Sequence, residues 1–432
     1  MRSHTEHAAI VAELVKPLLL QLAARDPEML AIDDAGLDGR VVAHDILAAI
    51  PLPPFDNSQM DGYAVRTADF SGDGPFTFVV GPTAAAGVAP FLCSPGSACP
   101  VMTGAAIPLE ADAVIPIEQA DPPRFGLLQR IGEAATPGAA PAYDAETVSF
   151  SQAPQPGAFV REQGSDHAAD APLVLRGSRL RPSSIGLLAS AGVAMVPVLP
   201  RLRVLLLSTG DEVTAPGDRL APGRIYDANA PLLASALRAA GAEVTVHRVA
   251  DQPGALLACI AAAGEHDLLV TSGGISAGAF EVVRDAFGGD PHTENDPSSI
   301  AFTAIALQPG GPQGTGFIEA DGRRLATLCF PGNPVSSALS AELFLLPLLR
   351  AHIGIPEHGQ RSTARLAHET DSPEHKHQVR RGRFLDDGRV ELSPPSSHLL
   401  SDLATAELLA HIPVGVAHLA AGSPIEIQRF DV

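Results

Sequence analysis

Asp267–Gly278 reads DLLVTSGGISAG, an apolar run passing directly into a turn rich in hydroxyls and glycine. Leu268 to Val270 is apolar without alternation, which suits a parallel strand covered on both faces. Glycines here let backbone amides approach an anionic group at the start of the helix-like stretch Phe280–Phe287. Glycine pairs after strands also make plain tight turns, so from this segment alone the two readings stand level. The flanking sequence tips the fold. An apolar strand at Val204–Leu207 leads into the turn Ser208–Asp211 and a helix at Pro231–Ala240 closed by Gly241. A strand at Glu243–Arg248 and a helix at Ala255–Gly264 follow. Three strand-then-helix units in a row predict a parallel α/β sheet. Right-handed crossovers then place every post-strand loop at one edge, where a ligand crevice is expected.

The other post-strand loops are polar too. Ser208–Glu212, STGDE, carries hydroxyls, a glycine and two carboxylates, and Pro331–Pro334, PGNP, opens a helix after the strand Leu325–Cys329. Its prolines rigidify the turn, while Ser336 and Ser337 could cap the helix or bond a ligand, capping being the expected role of at least one. Glu212, Asp251 and Glu281 each fall just beyond a strand, so they could converge on a divalent cation set against substrate phosphates. Taken singly, each would pass for a solvated loop carboxylate.

Upstream, Pro51–Arg66, PLPPFDNSQMDGYAVR, has another character. Three prolines fix the backbone while Asp56, Asn57, Ser58, Gln59 and Asp61 follow neither helical nor strand periodicity. It reads as a shaped binding loop, with Gly62 a flexible corner before the strand Tyr63–Val65. Residues 7–50 read as helical segments, and helical texture returns at Ser183–Ala191 before Gly192. Between them, Phe76–Val160 is dense in Pro, Gly and short apolar runs such as Phe76–Val80 and Ala113–Ile117, which predicts a β domain inserted between two halves of a helical one. Asp121–Glu146 reads as an extended excursion. Past the PGNP helix, Gly354–Gln360 reads as a linker and the remainder as a small β domain.

Composition narrows the function classes. The 432 residues, 46% hydrophobic and 18% charged, leave room for several domains. With 29 basic against 49 acidic residues the net charge is −20, which repels nucleic acid and an anionic membrane surface alike. Ala8–Leu22 is apolar but carries Glu13 and Lys16 and lacks a small-residue cleavage site, so it reads as an amphipathic helix rather than a signal peptide. No bilayer-spanning run is expected. Cys93, Cys99, Cys259 and Cys329 lack CxxC spacing, so reduced, buried thiols in a cytoplasmic protein are expected. Neither His167, His247 and His292 nor the pair His375 and His377 shows metal-ligand spacing.

Taken in order, PLPPFDNSQMDGYAVR, Met102–Ala105, Arg161–Asp166 (REQGSD), Ser208–Glu212, Ile225–Asn229 (IYDAN), SGGIS and PGNPVS resemble the molybdopterin molybdenumtransferase family over nearly the whole chain. That family comprises the MoeA proteins and the E domains of gephyrin and its plant counterpart. The resemblance implies a multidomain α/β plus β chain. An elongated helical domain (7–50 and 153–200) is split around a β domain (51–152), followed by a Rossmann-like molybdopterin-binding α/β domain (201–352) and a small C-terminal β barrel (355–432). It further implies a homodimer whose active cleft lies between the β domain of one subunit and the α/β domain of the other.

The implied reaction inserts molybdate into the dithiolene of adenylylated molybdopterin and releases AMP with the help of Mg²⁺. Carried onto matching positions, Asp61, Thr103, Glu212 and Asp251 are the catalytic residues, and Asp251 with Glu281 would hold the metal. Asp166, Ser272, Gly273, Gly274, Ser276, Arg284, Pro331, Asn333, Pro334 and Ser336 would bind substrate. The physics agrees: adenylate hydrolysis needs an activated water and neutralised phosphate charge, and glycine amides of SGGIS would hold the pterin phosphate.

Two departures accompany the resemblance. Glu281 stands where many relatives carry aspartate, lengthening the carboxylate by one methylene. The family's basic KPGKP-type turn is replaced by Leu307–Pro312, LQPGGP, so Gln308 and Gly311 occupy positions usually cationic, with Arg284 the retained cation. The enzyme is therefore weighed against a divergent, non-catalytic paralogue that binds molybdopterin or finished cofactor as carrier, storage or regulatory protein.

Overall fold

The computed structural model describes residues 1–125, 146–275, 282–287, 300–320 and 322–430. They form two compact units: Met1–His44 with Gly177–Arg181 and Val196–Val432, and Asp45–Arg176 with Pro182–Met195.

The larger unit is built on a six-stranded sheet in the order Glu243–Val249, Arg203–Thr209, Leu268–Ser272, Arg323–Phe330, Pro312–Ala320, Ile300–Ala304. The first four strands run parallel, Pro312–Ala320 runs antiparallel to them, and Ile300–Ala304 is antiparallel to Pro312–Ala320 in turn. Because side chains alternate along a strand, Val204, Leu206, Leu268 and Val270 join one core while Leu205, Leu207 and Leu269 join another. Helices Asn229–Ala239, Pro334–Ser340 and His4–Ala23 pack in the first core, and Pro253–Ala262 with Val282–Phe287 in the second. Both faces are covered, which is why these strands read as continuous apolar runs. The first helix starts with a capping box, the Ser3 hydroxyl accepting from the Glu6 amide at 3.1 Å while Glu6 accepts from the Ser3 amide at 2.8 Å. It buries His7, Val11, Leu14, Val15, Leu19 and Leu22 on one stripe.

The same unit carries a near-barrel sheet in the order Leu307–Gln308, His377–Phe384, Leu408–Ile412, Pro424–Arg429, Arg361–Arg365, around Leu366, Val390, Ile412, Ile425 and Ile427. Leu307–Gln308 pairs in parallel with His377–Gln378, so the LQPGGP turn is stitched to this sheet.

The smaller unit has a six-stranded sheet in the order Ala113–Pro116, Gly62–Val65, Ser97–Val101, Phe76–Val80, Thr147–Phe150, Ala120–Asp121. Its core includes Tyr63, Phe78, Val148 and Phe150.

Several expectations need correction. Residues 7–50 are helical only to Ala23; Glu28–Ala31 and Ile46–Leu47 are strands, because Asp26, Pro27 and the Asp- and Gly-rich run to Gly39 break helical continuity. Within 153–200 the helix is Pro182–Ser190 alone among the described residues. Pro51–Arg66 is more than a loop, since Asn57 and Ser58 are buried and pair with Val160–Arg161. Gly62 is a strand residue rather than a flexible corner, required because a Cβ there would meet the Ile115 carbonyl oxygen at 2.1 Å. The helical run Pro334–His352, 19 residues of mean hydropathy 1.2, is long and apolar enough to cross a membrane, against expectation. It is 72% buried, and its apolarity is that of a core helix. Residues 126–145, most of the Asp121–Glu146 excursion, lie outside the described residues.

Candidate functional site

A crevice of about 680 Å³ opens at the carboxyl ends of the parallel strands, where the crossovers place the loops. Glu212, Asp251, Gly273, Gly274, Pro331, Asn333, Pro334 and Ser336 all line it. Sequence reasoning thus gathered eight residues onto one surface from four separate loops.

The loops are fastened by their own polar groups. The Asp211 amide donates to Asp251 Oδ2 at 3.1 Å and the Asp251 amide to Asp211 Oδ1 at 3.0 Å. Asn229 Nδ2 donates to the Gly332 carbonyl at 2.6 Å, and Asn333 Nδ2 to Ser397 Oγ at 3.1 Å. Gly273 and Gly274 have φ of +96° and +66°, and a Cβ on either would approach Thr209 or Val283 to 2.9 Å, so both positions demand glycine. The Gly273 amide is spent on the Phe330 carbonyl at 3.1 Å, extending the strand ladder, which corrects the expectation that it holds a phosphate.

Ser272 is also placed differently from expectation. It is buried beneath the crevice, its hydroxyl 3.0 Å from Ser337 Oγ, while Ser337 donates to the Pro331 carbonyl at 2.8 Å. Neither Ser336 nor Ser337 caps the helix; the cap position is Asn333, without a side-chain capping bond. Ser337 and Ser272 instead brace the PGNP turn, both hydroxyls donating to the Pro331 carbonyl. Arg284 is exposed, its guanidinium 5.8 Å from the centre of the Phe302 ring, and is not among the residues lining the crevice. Ser276 and Glu281 lie outside the described residues.

Electrostatically the crevice is two-sided. Burial first, and then the negative charges of Asp211 and Glu212, push the Asp251 carboxyl above its ordinary range despite the bond from Asp211. Lys376 is the cationic side chain among the described lining residues, and the chain has only one other lysine, Lys16. It lines the crevice together with Gln308 and Gly311, where the sequence had lost its basic turn. Gln308 serves a different purpose there, its Oε1 accepting from the buried Gln378 Nε2 at 2.6 Å. Lysine could not accept that bond. Two further lining residues went unassigned by sequence: Tyr226, and the buried Asp227, which accepts from the Ala230 amide at 2.9 Å and from Arg248 Nε at 2.7 Å. Both sit in IYDAN, and the rarity of lysine was the available signal for Lys376.

Asp61, Thr103 and Asp166 belong to the other unit. There Asp61 Oδ1 accepts both the Thr103 amide at 2.7 Å and the Thr103 hydroxyl at 2.8 Å. Asp166 is exposed and donates its amide to the Leu52 carbonyl at 3.0 Å.

Residues 2–192 match the family model described as the MoeA N-terminal region (domain I and II), and residues 206–351 a probable molybdopterin binding domain. Molybdopterin molybdenumtransferase 2 of Mycobacterium tuberculosis is 39% identical over 439 residues, 99% of each chain. The chain belongs to the molybdopterin molybdenumtransferase (MoeA) family. The molybdopterin molybdenumtransferase of Synechococcus elongatus is 32% identical over 98% of each chain. A Pyrococcus horikoshii MoeA structure superposes with a TM-score of 0.71 at 28% identity, over 97% of this chain and 99% of that one. A second, at 0.66 and 22%, bears on the fold alone. In this MoeA family member Glu212, Asp251 and Lys376 line one crevice.

Proposed function

We propose that the protein inserts molybdate into adenylylated molybdopterin, releasing AMP, as a step of molybdenum cofactor biosynthesis. The observation that carries this reading is the crevice with Glu212 and Asp251 facing the same space as Lys376. Both substrates are anions, and a pocket holding fixed charges of both signs can bind them and polarise the bond to be broken. The missing basic turn was the reason to consider a non-catalytic binder. Lys376 supplies a cation beside Gln308 and Gly311, and that reason lapses.

In this reading Lys376 holds an oxyanion by a charge-assisted hydrogen bond. Asn333 and Ser336 present polar groups at the PGNP turn, and Glu212 orients water or accepts a proton. Asp61, its oxygen doubly bonded by Thr103, keeps its carboxylate in one orientation. Mg²⁺ fits the donor chemistry. Burial and then the charges of Asp211 and Glu212 raise Asp251, a cost that a cation would relieve, and among the described residues no three His, Cys, Asp or Glu side chains form a closed cage. An ion held by one or two carboxylates and the substrate's phosphates suits such a site. Asp251 with Glu281 would hold it, and when bound it would neutralise phosphate charge. A cytoplasmic homodimer completes the reading, supported by cysteines that are all free and by the family's habit, with sedimentation as its check.

Purified protein given adenylylated molybdopterin, molybdate and Mg²⁺ should release AMP in step with cofactor formation. Tight binding without AMP release would overturn the proposal.

A further inference from the structure

At the opposite, amino-terminal edge of the parallel sheet lies a separate cavity of about 320 Å³, among whose lining residues are Arg25, Arg203, His266, Arg323 and Arg324. Part of this set is structural. Asp267, largely buried, accepts from Arg25 at 2.5 and 3.2 Å and from Arg203 Nη2 at 3.3 Å, and Arg203 also lies 3.5 Å from Glu265. These bonds tie the end of the first helix to the sheet. They leave Arg323 and Arg324 unaccounted for.

Four guanidiniums against Asp267 and Glu265 give the described lining an excess of two positive charges, in a chain whose net charge is −20. Neither Arg323 nor Arg324 makes an ion pair among the described residues, yet both are anchored. Arg323 Nη2 donates to the Gly264 carbonyl at 3.2 Å, and the Arg324 guanidinium lies 3.8 Å from the centre of the Phe317 ring. Anchoring lowers the entropy lost when a ligand is clamped. His266 lines the same place, its ring turned to the Gly264 backbone.

We propose that this cavity binds a phosphate group, free or as the monoester of a small molecule. A phosphate near neutral pH carries about one and a half to two negative charges, in keeping with the excess, and its oxygens fit the forked donors of arginine better than a point charge would. The volume falls at the lower end of pockets that take small organic ligands, so a monoester has room.

Titration calorimetry of the full-length protein with inorganic phosphate and with AMP, at constant ionic strength, tests this. Saturable binding should weaken at least tenfold in Arg323→Ala/Arg324→Ala and persist in Lys376→Ala, which reports on the crevice instead. Both arginines are exposed, so the double variant should melt like wild type without ligand and release AMP at the wild-type rate. Tighter binding of AMP than of phosphate through these arginines assigns the site to an ester, and equal binding assigns it to free phosphate. Absence of saturable binding, or full affinity retained in the double variant, overturns the proposal. A double variant that melts early is replaced by Arg323→Gln/Arg324→Gln, judged by the same loss.

Discussion

Asp211 and Asp251 hold each other, each amide donating to the other's carboxylate at 3.1 and 3.0 Å, so that two post-strand loops of the parallel sheet move as one. The arrangement fixes Asp251 at the crevice while crowding its charge. In Asp251→Asn the side-chain oxygen still accepts from Asp211, so the clasp survives and only the charge goes. AMP release should fall about 100-fold or more, the scale of losing one preorganised electrostatic group. Stability should not fall with it. Burial and neighbouring carboxylates raise the folded-state pKa of Asp251, so its contribution to stability is present below the ordinary aspartate value and lost as pH rises through the raised one. The melting temperature of the asparagine variant relative to wild type should therefore improve as pH rises above the ordinary aspartate range. A constant difference would refute this account.

In the smaller unit, Thr103 donates both its amide and its hydroxyl to Asp61 Oδ1. Thr103→Val keeps the amide bond and the shape but removes the hydroxyl, which should lower kcat by roughly tenfold, the worth of about one hydrogen bond to a charged group, with KM little changed. Asp61→Ala should abolish AMP release. Because Asp61 is exposed, that variant should melt within a few degrees of wild type. A large drop in melting temperature would mean that the carboxylate serves the fold rather than the reaction.

The legible part of this protein was the part written in periodic or punctuated sequence. Leu268–Val270 announced a two-faced strand because apolar residues ran without alternation, and Gly241 announced a helix end that the structure confirms with φ of +88°. Those patterns placed the post-strand loops at one edge, and eight candidate residues line the crevice there. Residues 28–50 were misread because an apolar strand of two to four residues has too few positions to show a period. Lys376 was invisible for a different reason: it reaches the crevice through a sheet more than 60 residues downstream of Gln308, joined by the pairing of Leu307–Gln308 with His377–Gln378. Ser272 and the Gly273 amide were assigned to ligand because a motif shows which groups exist, not which are consumed by neighbours such as Ser337 and Phe330.

Lys376 offers the clearest separation of charge from shape. Lys376→Ala should raise the KM for molybdate by about 10- to 100-fold, the range of one charge-assisted hydrogen bond, with a smaller effect on kcat. Lys376→Arg should recover most of the loss, because the cation is retained. Equal KM values in all three proteins would remove Lys376 from the anion site.

Gly62 tests packing in the sheet beside Asp61. A Cβ would sit 2.1 Å from the Ile115 carbonyl oxygen, and backbone on a buried strand cannot withdraw as a flexible side chain could. Gly62→Ala should therefore cost about 3 kcal/mol or more and melt the smaller unit early. Gly87→Ala, at φ +81° with open space around it, should cost only about 1 kcal/mol from its backbone conformation. Urea unfolding of the two variants should rank them in that order, and the reverse order would show that Gly62 is not packed as described.

Near the start of the first helix, buried histidines make the larger unit sensitive to acid. His377 Nε2 lies 3.1 Å from His411 Nδ1, and the His4 ring stacks on His377 with centroids 4.0 Å apart. One ring nitrogen must donate and the other accept, which neutral imidazoles allow and two imidazolium ions do not. Burial, reinforced by nearby positive groups including His4 and Arg361, pushes His377 down to about 3 and His411 down to about 4. Both folded values lie below the unfolded 6.5, so the stability these groups contribute is complete above 6.5 and lost as pH falls toward 4. For His411 the loss should be on the order of 2–3 kcal/mol. Glutamine at 411 can still exchange a hydrogen bond with His377 but cannot titrate. His411→Gln should therefore be less stable than wild type at pH 7 by about 1 kcal/mol, and equal to it or more stable near pH 4.5. Urea unfolding at the two pH values decides the matter, since parallel pH dependences in the two proteins would mean that His411 contributes nothing to acid sensitivity.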